Sequence, residues 1–124
     1  MRGITLDTGA LVALERRKPR AHALLRAARS RELVLTIPAT VLAEWWRGQK
    51  GPSRKLRAGC IVERMDESLA EAVGETLADV RGASLVDAAV MTSAAKRGDV
   101  VFTSDIEDLE RLQRRFPTVR LVRV

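Results

Sequence analysis

The chain has 124 residues, 46% hydrophobic and 31% charged, with 22 Lys and Arg against 16 Asp and Glu for a formal net charge of +6. This is enough chain for one domain, residues 1–124, with its own hydrophobic core, and the composition is that of a globular protein rather than a disordered one. Two Trp, two Phe and no Tyr exclude a base-stacking platform; the single Cys60 excludes an internal disulfide or a multi-Cys zinc site, and the single His22 excludes His-pair chemistry.

Taken in chain order, residues 3–6 read as a short buried strand that stops at Asp7. Helical spacing follows over 10–14 and again over 21–28, interrupted by the basic run Arg16-Arg17-Lys18-Pro19. Residues 33–37 form a second strand closed by Pro38, and Thr40 is expected to cap a helix that runs through Trp46 and ends at Gly48. The basic, Gly/Pro-punctuated segment 48–57 reads as a loop or short helix. Residues 60–65 read as a third strand, with Cys60 as a small core residue. Asp66 then caps an amphipathic helix that aligns Leu69, Val73, Leu77 and Val80 on one face. Ser84 opens a further helix ending near Arg97-Gly98, residues 100–103 form a fourth strand, and 106–112 a short helix. The last strand, 119–124, mixes Arg with Val and Leu on both faces, so neither is marked as the buried one. Strands alternating with helices imply an α/β fold with a parallel sheet covered on both sides.

Carboxylates recur where this pattern changes from strand to helix. Asp7 closes the first strand, and Asp105 and Asp108 follow the fourth; Glu44 and Asp87 lie in the apolar stretches Val41-Leu42-Ala43-Glu44 and Leu85-Val86-Asp87-Ala88. Ligands of parallel sheets bind beyond the carboxyl ends of the strands. If the first and fourth strands are neighbours, Asp7 and Asp105 meet at one rim, with Glu44 and Asp87 arriving from flanking helices. Converging carboxylates repel one another, and a hard divalent cation removes that conflict. An acidic metal centre in a cationic chain suits an enzyme that acts on nucleic acid.

Each of these residues also has a structural reading. Ser84-x-x-Asp87 and Ser104-x-x-Glu107 match the capping box, which accounts for Asp87 as well as ligation does and for Glu107 better. Asp105 is also placed as an early helix residue favoured by the macrodipole, Asp99 reads as a turn residue, and Trp45-Trp46 as core or subunit interface. Thr8, Thr103, Ser104 and Arg47 are candidates for positioning a substrate, with the Arg54-Lys55-Arg57 cluster a solvated loop or a phosphate contact.

The set Asp7, Glu44, Asp87, Asp105 and Asp108 resembles that of the PIN-domain nucleases, and most of all the VapC toxins of bacterial toxin–antitoxin pairs. The matching segments are Leu6-Asp7-Thr8-Gly9, Val41-Leu42-Ala43-Glu44-Trp45-Trp46-Arg47-Gly48, Ser84-Leu85-Val86-Asp87-Ala88, and 101–109 beginning Val101-Phe102-Thr103-Ser104-Asp105. The resemblance implies a three-layer α/β/α domain with a five-stranded, mostly parallel sheet. It also implies a Mg²⁺ or Mn²⁺ centre on these five carboxylates, endoribonuclease activity, a homodimer and a cognate antitoxin. A cytoplasmic location is the expectation, since no run of 18 apolar residues occurs and the N-terminal apolar run is too short for a signal peptide.

Other readings of the same residues remain. A housekeeping RNA-processing nuclease shares the site, and a non-catalytic RNA-binding or scaffold module shares the fold. Asp7-Thr8-Gly9 is also an aspartic-protease triplet, but that fold is almost all β. A phosphotransfer receiver needs a second acid beside Asp7 and a Lys after the last strand, and a haloacid-type phosphatase needs Asp where this chain has Gly9.

Overall fold

In the computed structural model, which describes residues 3–124, the elements run β1 (Ile4–Leu6), α1 (Thr8–Glu15), α2 (Pro19–Ser30), β2 (Leu35–Pro38), α3 (Ala39–Trp45) and α4 (Pro52–Ala58). They continue as β3 (Ile61–Glu63), α5 (Glu67–Asp79), α6 (Leu85–Arg97), β4 (Val100–Thr103), α7 (Ile106–Gln113) and β5 (Arg120–Arg123). The strands form one sheet in the order β3-β2-β1-β4-β5, and each neighbouring pair is parallel. The chain moves outward from β1 to β3, then crosses back to place β4 on the other side of β1. Right-handed crossovers therefore put α1 to α4 on one face and α5 to α7 on the other. Every residue of β1 and β2 is buried, as strands covered on both faces must be.

The two faces are filled differently. Leu11, Leu14, Leu25, Val41 and Trp45 pack from α1, α2 and α3 against Ile4, Leu6 and Ile37. On the other face α6 lies between the sheet and α5. Its residues Ala88 to Ala94 are all buried, and Ala88 and Ala89 meet Leu69 and Val73 of α5. This explains why α6 shows no clear polar face in the sequence: a helix covered nearly all round has no need of one. Among the described residues no helix is long and apolar enough to cross a membrane.

Most predicted boundaries agree, and the exceptions have local causes. The helix after β2 starts at once, with Pro38 at the N-cap, so Thr40 lies inside it; its hydroxyl is buried without a hydrogen-bond partner among the described residues and caps nothing. That helix stops at Trp45, one residue early, because Trp46 has turned extended. Strand β3 keeps only Ile61–Glu63; Cys60 sits just before it in the core, donating to the Leu56 carbonyl, and burial pushes its thiol pKa up to about 11. Helix α7 begins one residue later than the Ser104 capping box required, with Asp105 at the N-cap, and Glu107 instead reaches Arg123 at 3.5 Å. At the edge, β5 leaves Leu121 and Val122 half-buried and Arg120 and Arg123 exposed, so neither face is fully covered.

Asp99 is more than a turn residue. It is 5% exposed and accepts hydrogen bonds from the Gly3 amide (3.0 Å), the Thr5 hydroxyl (2.9 Å) and Arg97 Nε (2.9 Å). Arg97 also reaches Glu63 at 2.5 Å, Ser93 and Thr5. This network ties the amino ends of β1 and β4 to the last turn of α6.

Candidate active site

The carboxyl end of the sheet is built around the β1–β4 junction, where the strand order switches. Ile4, Thr5 and Leu6 pair with Val100, Val101 and Phe102, and the ladder ends as the Asp7 amide donates to the Phe102 carbonyl at 3.2 Å. Asp7 caps α1, its Oδ1 accepting from the Ala10 amide at 2.7 Å, and is only 7% exposed. Asp105 follows β4 by two residues; its amide donates to Thr103 Oγ1 at 2.9 Å while its side chain makes no cap bond and stays exposed. The adjacency expected from the sequence is thus present: β1 and β4 are neighbours, and both carboxylates issue from the same rim.

Gly9, given no role of its own in the sequence, leaves room for that approach. A Cβ at Gly9 would clash with Ser104 Oγ, so a larger residue requires that hydroxyl to rotate away or the loop after β4 to shift from the first turn of α1. The available signal was a glycine in the second position of a helix, where intrinsic propensity disfavours it.

The other acids enter from three helices. Glu44, exposed in the last turn of α3, accepts from Thr8 Oγ1 at 2.5 Å. Asp87 is half-buried at the start of α6, where its amide donates to Ser84 Oγ at 3.0 Å, realising one half of the capping box. Asp108 is exposed in the first turn of α7.

Electrostatics join the five. Asp7 has its pKa raised from 3.8 to about 6, first by burial, then by Asp87 and Asp105, against the lowering effect of Thr103 and the Ala10 amide. Asp87 is also raised, first by burial and then by Asp108, Glu44 and Asp105, with Ser84 opposing. Among the described residues, ion pairs form between Arg97 and both Glu63 and Asp99, between Arg115 and Asp79, and between Arg123 and Glu107; none involves the five.

The donor chemistry fits a hard divalent ion: carboxylate oxygens alone, one set deeply buried, with no Lys or Arg paired to them among the described residues. The side chains do not yet enclose one. Among the described residues no three Asp, Glu, His or Cys groups stand together in a ligating array. Asp7 is turned toward its own helix cap and Glu44 toward Thr8, so ligation requires these side chains to re-aim.

The remaining candidates divide. Thr8 orients Glu44, and exposed Ser104 lies against Gly9. Thr103 is fully buried, and its hydroxyl serves Asp7 and the Asp105 amide. Arg47, a candidate for substrate positioning, is exposed and folds back on the end of α3, donating to the carbonyls of Ala43 (3.3 Å) and Trp46 (2.7 Å).

No curated protein sequence matches the chain. Among solved structures it is similar to a chain of the DNA-bound VapBC complex from Salmonella typhimurium, with a TM-score of 0.73, 20% identity and coverage of 99% of this chain and 98% of that one. A chain of VapBC2 from Rickettsia felis, bound to a promoter DNA fragment, gives 0.71 at 15% identity, covering 98% of each. FitAB bound to the IR36 DNA fragment gives 0.65 at 19% identity, covering 97% of this chain and 94% of that one. At these identities the likeness is one of fold. The PIN domain family model matches residues 4–115, through β1, β4 and all five carboxylates, and the chain belongs to that family.

Proposed function

We propose that this PIN domain is a Mg²⁺- or Mn²⁺-dependent endoribonuclease, and that it acts as the toxin of a toxin–antitoxin pair. The observation that carries the nuclease reading is the pairing of β1 with β4 at the strand-order switch point, which brings Asp7 and Asp105 to one rim. There these two, with Glu44, Asp87 and Asp108, lie close enough to raise the pKa of Asp7 and Asp87 and have no cationic partner among the described residues. Asp7, Glu44, Asp87 and Asp105 are the residues proposed to hold the ion, with Asp108 alongside. When bound, such an ion polarises a phosphoryl oxygen and activates water for attack on phosphorus.

The chain's own groups prepare for that chemistry. The Ala10 amide and Thr103 hold the Asp7 carboxylate in place and favour its charged form, while burial and the neighbouring acids oppose it. Asp7 is therefore only half ionised near pH 6 and gains its full charge as pH rises beyond it, and ligation depends on that state. Thr8 holds the Glu44 carboxylate at the rim, from where it would turn to ligate the ion. Attack by water with departure of the 3′-oxygen leaves 5′-phosphate and 3′-hydroxyl ends, whereas attack by the neighbouring 2′-hydroxyl with departure of the 5′-oxygen leaves a cyclic phosphate.

The toxin reading is supported by the similar structures, which are VapBC and FitAB assemblies. It carries a cognate antitoxin and a homodimer in the cytoplasm as further proposals. Purified protein is expected to cut RNA with Mg²⁺ or Mn²⁺ and to stop in EDTA, and expression is expected to arrest growth unless the adjacent small reading frame is co-expressed. Cleavage at an undiminished rate in excess EDTA would falsify the metal-centred reading. Cleavage without growth arrest would move the protein to RNA processing.

A further inference from the structure

Resting on the nuclease reading above, we propose that Arg81, Arg111 and Arg114 bind the RNA phosphates beside the scissile bond. The three line a cleft of about 610 Å³ between the turn that follows α5 and the last turns of α7. All three are exposed, and none is ion-paired among the described residues. Arg115, in the same wall, is already committed: it pairs with Asp79, donates to Thr76 and lies over the Phe116 ring at 5.7 Å.

Two features connect this cleft to the carboxylates. Helix α7 carries Asp108 in its first turn and Arg111 three residues later, on the same side and about 4.5 Å further along the axis. On the facing segment, Gly82 has φ +82°, and a Cβ there would stand 2.7 Å from Arg111 Nη1. The Arg111 guanidinium thus lies against the backbone just ahead of Ser84, the cap of the helix that carries Asp87. The cations border the acidic cluster through the same two elements that supply Asp87 and Asp108.

A polyanion needs such a border. Five carboxylates repel the phosphates on either side of the bond to be cut, and an ion at the centre offsets that repulsion only locally. Guanidinium groups bind phosphate oxygens in pairs and hold the strand in register. A second basic cleft, with Arg17, Arg26, Arg29 and Lys55 between α2 and α4, lies at the far end of α1 from Asp7. It serves as a charge-matched control.

The test measures binding of mixed-sequence single-stranded RNA to the full chain in EDTA, and cleavage of the same RNA in Mn²⁺. For the double variant Arg111→Ala, Arg114→Ala we expect the Kd to rise about tenfold or more. The slope of log K against log salt is expected to fall by about 1.4, the contribution of two phosphates on a single strand. KM should rise in parallel with little change in kcat, and Arg111→Lys with Arg114→Lys should recover most of the binding. The control Arg17→Ala, Arg26→Ala, with equal loss of charge, should leave both nearly unchanged. Equal weakening by the two double variants overturns the proposal, since net charge alone would then explain it. RNA binding and KM unchanged in Arg111→Ala, Arg114→Ala, with lost affinity for an acidic partner protein, also overturns it and makes the cleft a protein-docking surface. Tight RNA binding through these arginines by a wild-type chain that never cleaves supports the site and sinks the nuclease reading instead.

Discussion

Asp99 and Asp7 are buried to nearly the same degree, 5% and 7% exposed, at opposite ends of the same two strands. At the amino end, Asp99 is held by two hydrogen bonds and by Arg97, which also neutralises Glu63. At the carboxyl end, Asp7 receives one backbone amide and the help of Thr103, faces other carboxylates and has no cationic partner among the described residues. Helix α6 joins the two ends, with Asp87 in its first turn and Arg97 in its last, each sign of charge on the favourable pole of the helix. A buried acid with its own arginine is complete as it stands and serves the fold. A buried acid kept among like charges destabilises the chain, and that cost makes sense where a cation is to be bound.

The sharpest way to break the comparison is to remove the cation from the completed end. Arg97→Ala leaves Asp99 and Glu63 uncompensated, and deleting one partner of a buried pair costs about 3–5 kcal/mol. Because Arg97 is itself about a quarter exposed, the lower part of that range is expected. Chemical denaturation should show the loss, while the folded fraction keeps its cleavage rate per molecule. A variant as stable as wild type would mean that the two rims do not differ in the way described.

Asp7→Asn should act in the opposite direction on stability while ending function. Asn retains the cap on Ala10 and removes the strained charge. Because the folded pKa of Asp7 is raised, the native state binds more protons than the unfolded chain between about pH 3.8 and 6. The metal-free protein therefore loses stability as pH rises through that window and stays at the lower level above it. The shift corresponds to up to about 3 kcal/mol. At pH 7.5 in EDTA, Asp7→Asn should melt higher than wild type by an amount that vanishes toward pH 4. Its metal-dependent cleavage should fall at least about a hundredfold, beyond what loss of an outer-shell partner causes. A lower melting temperature at pH 7.5 would show that Asp7 is a structural acid like Asp99.

The sequence made one of these ends legible and left the other obscure. Asp7 and Asp105 stand out because they come one and two residues after apolar runs that read as strands, and parallel β1 and β4 carry them to one rim. Asp99 precedes its strand, and two of its three partners, Gly3 and Thr5, lie 96 and 94 residues away; only Arg97 was near enough in sequence to be noticed. Thr40 and Ser104 failed as caps for a related reason. Pro38 and Asp105 took the cap positions because the strands ended where they did, and cap motifs alone do not fix strand ends. Arg47 sits beside Glu44 in sequence, but the end of its helix supplied carbonyls that its guanidinium could satisfy.

Adding the ion should erase the difference between the two ends. Saturating Mn²⁺ at pH 7.5 is expected to raise the wild-type melting temperature, by about 2.7 kcal/mol in stability at a hundred times Kd. The gain should shrink as pH falls below about 6, where Asp7 takes up a proton, and should be absent in Asp7→Asn. Stabilisation of equal size in that variant would place the ion elsewhere.

Gly9→Ala tests the geometry without touching a carboxylate. The added methyl would meet Ser104 Oγ, so the hydroxyl must swing away or the loop after β4 must retreat from α1. Overpacking of this kind costs about 1–3 kcal/mol, and Ser104 is exposed, so the lower end applies. The larger consequence should fall on function, because that loop carries Asp105. If the rim works by bringing Asp7 and Asp105 to one ion, Mn²⁺ affinity and cleavage decline together although every acid remains. Pairing the change with Ser104→Gly, which removes the clashing hydroxyl, should restore both. Recovery of stability without recovery of ion binding would mean that the Asp7–Asp105 approach does not govern the centre.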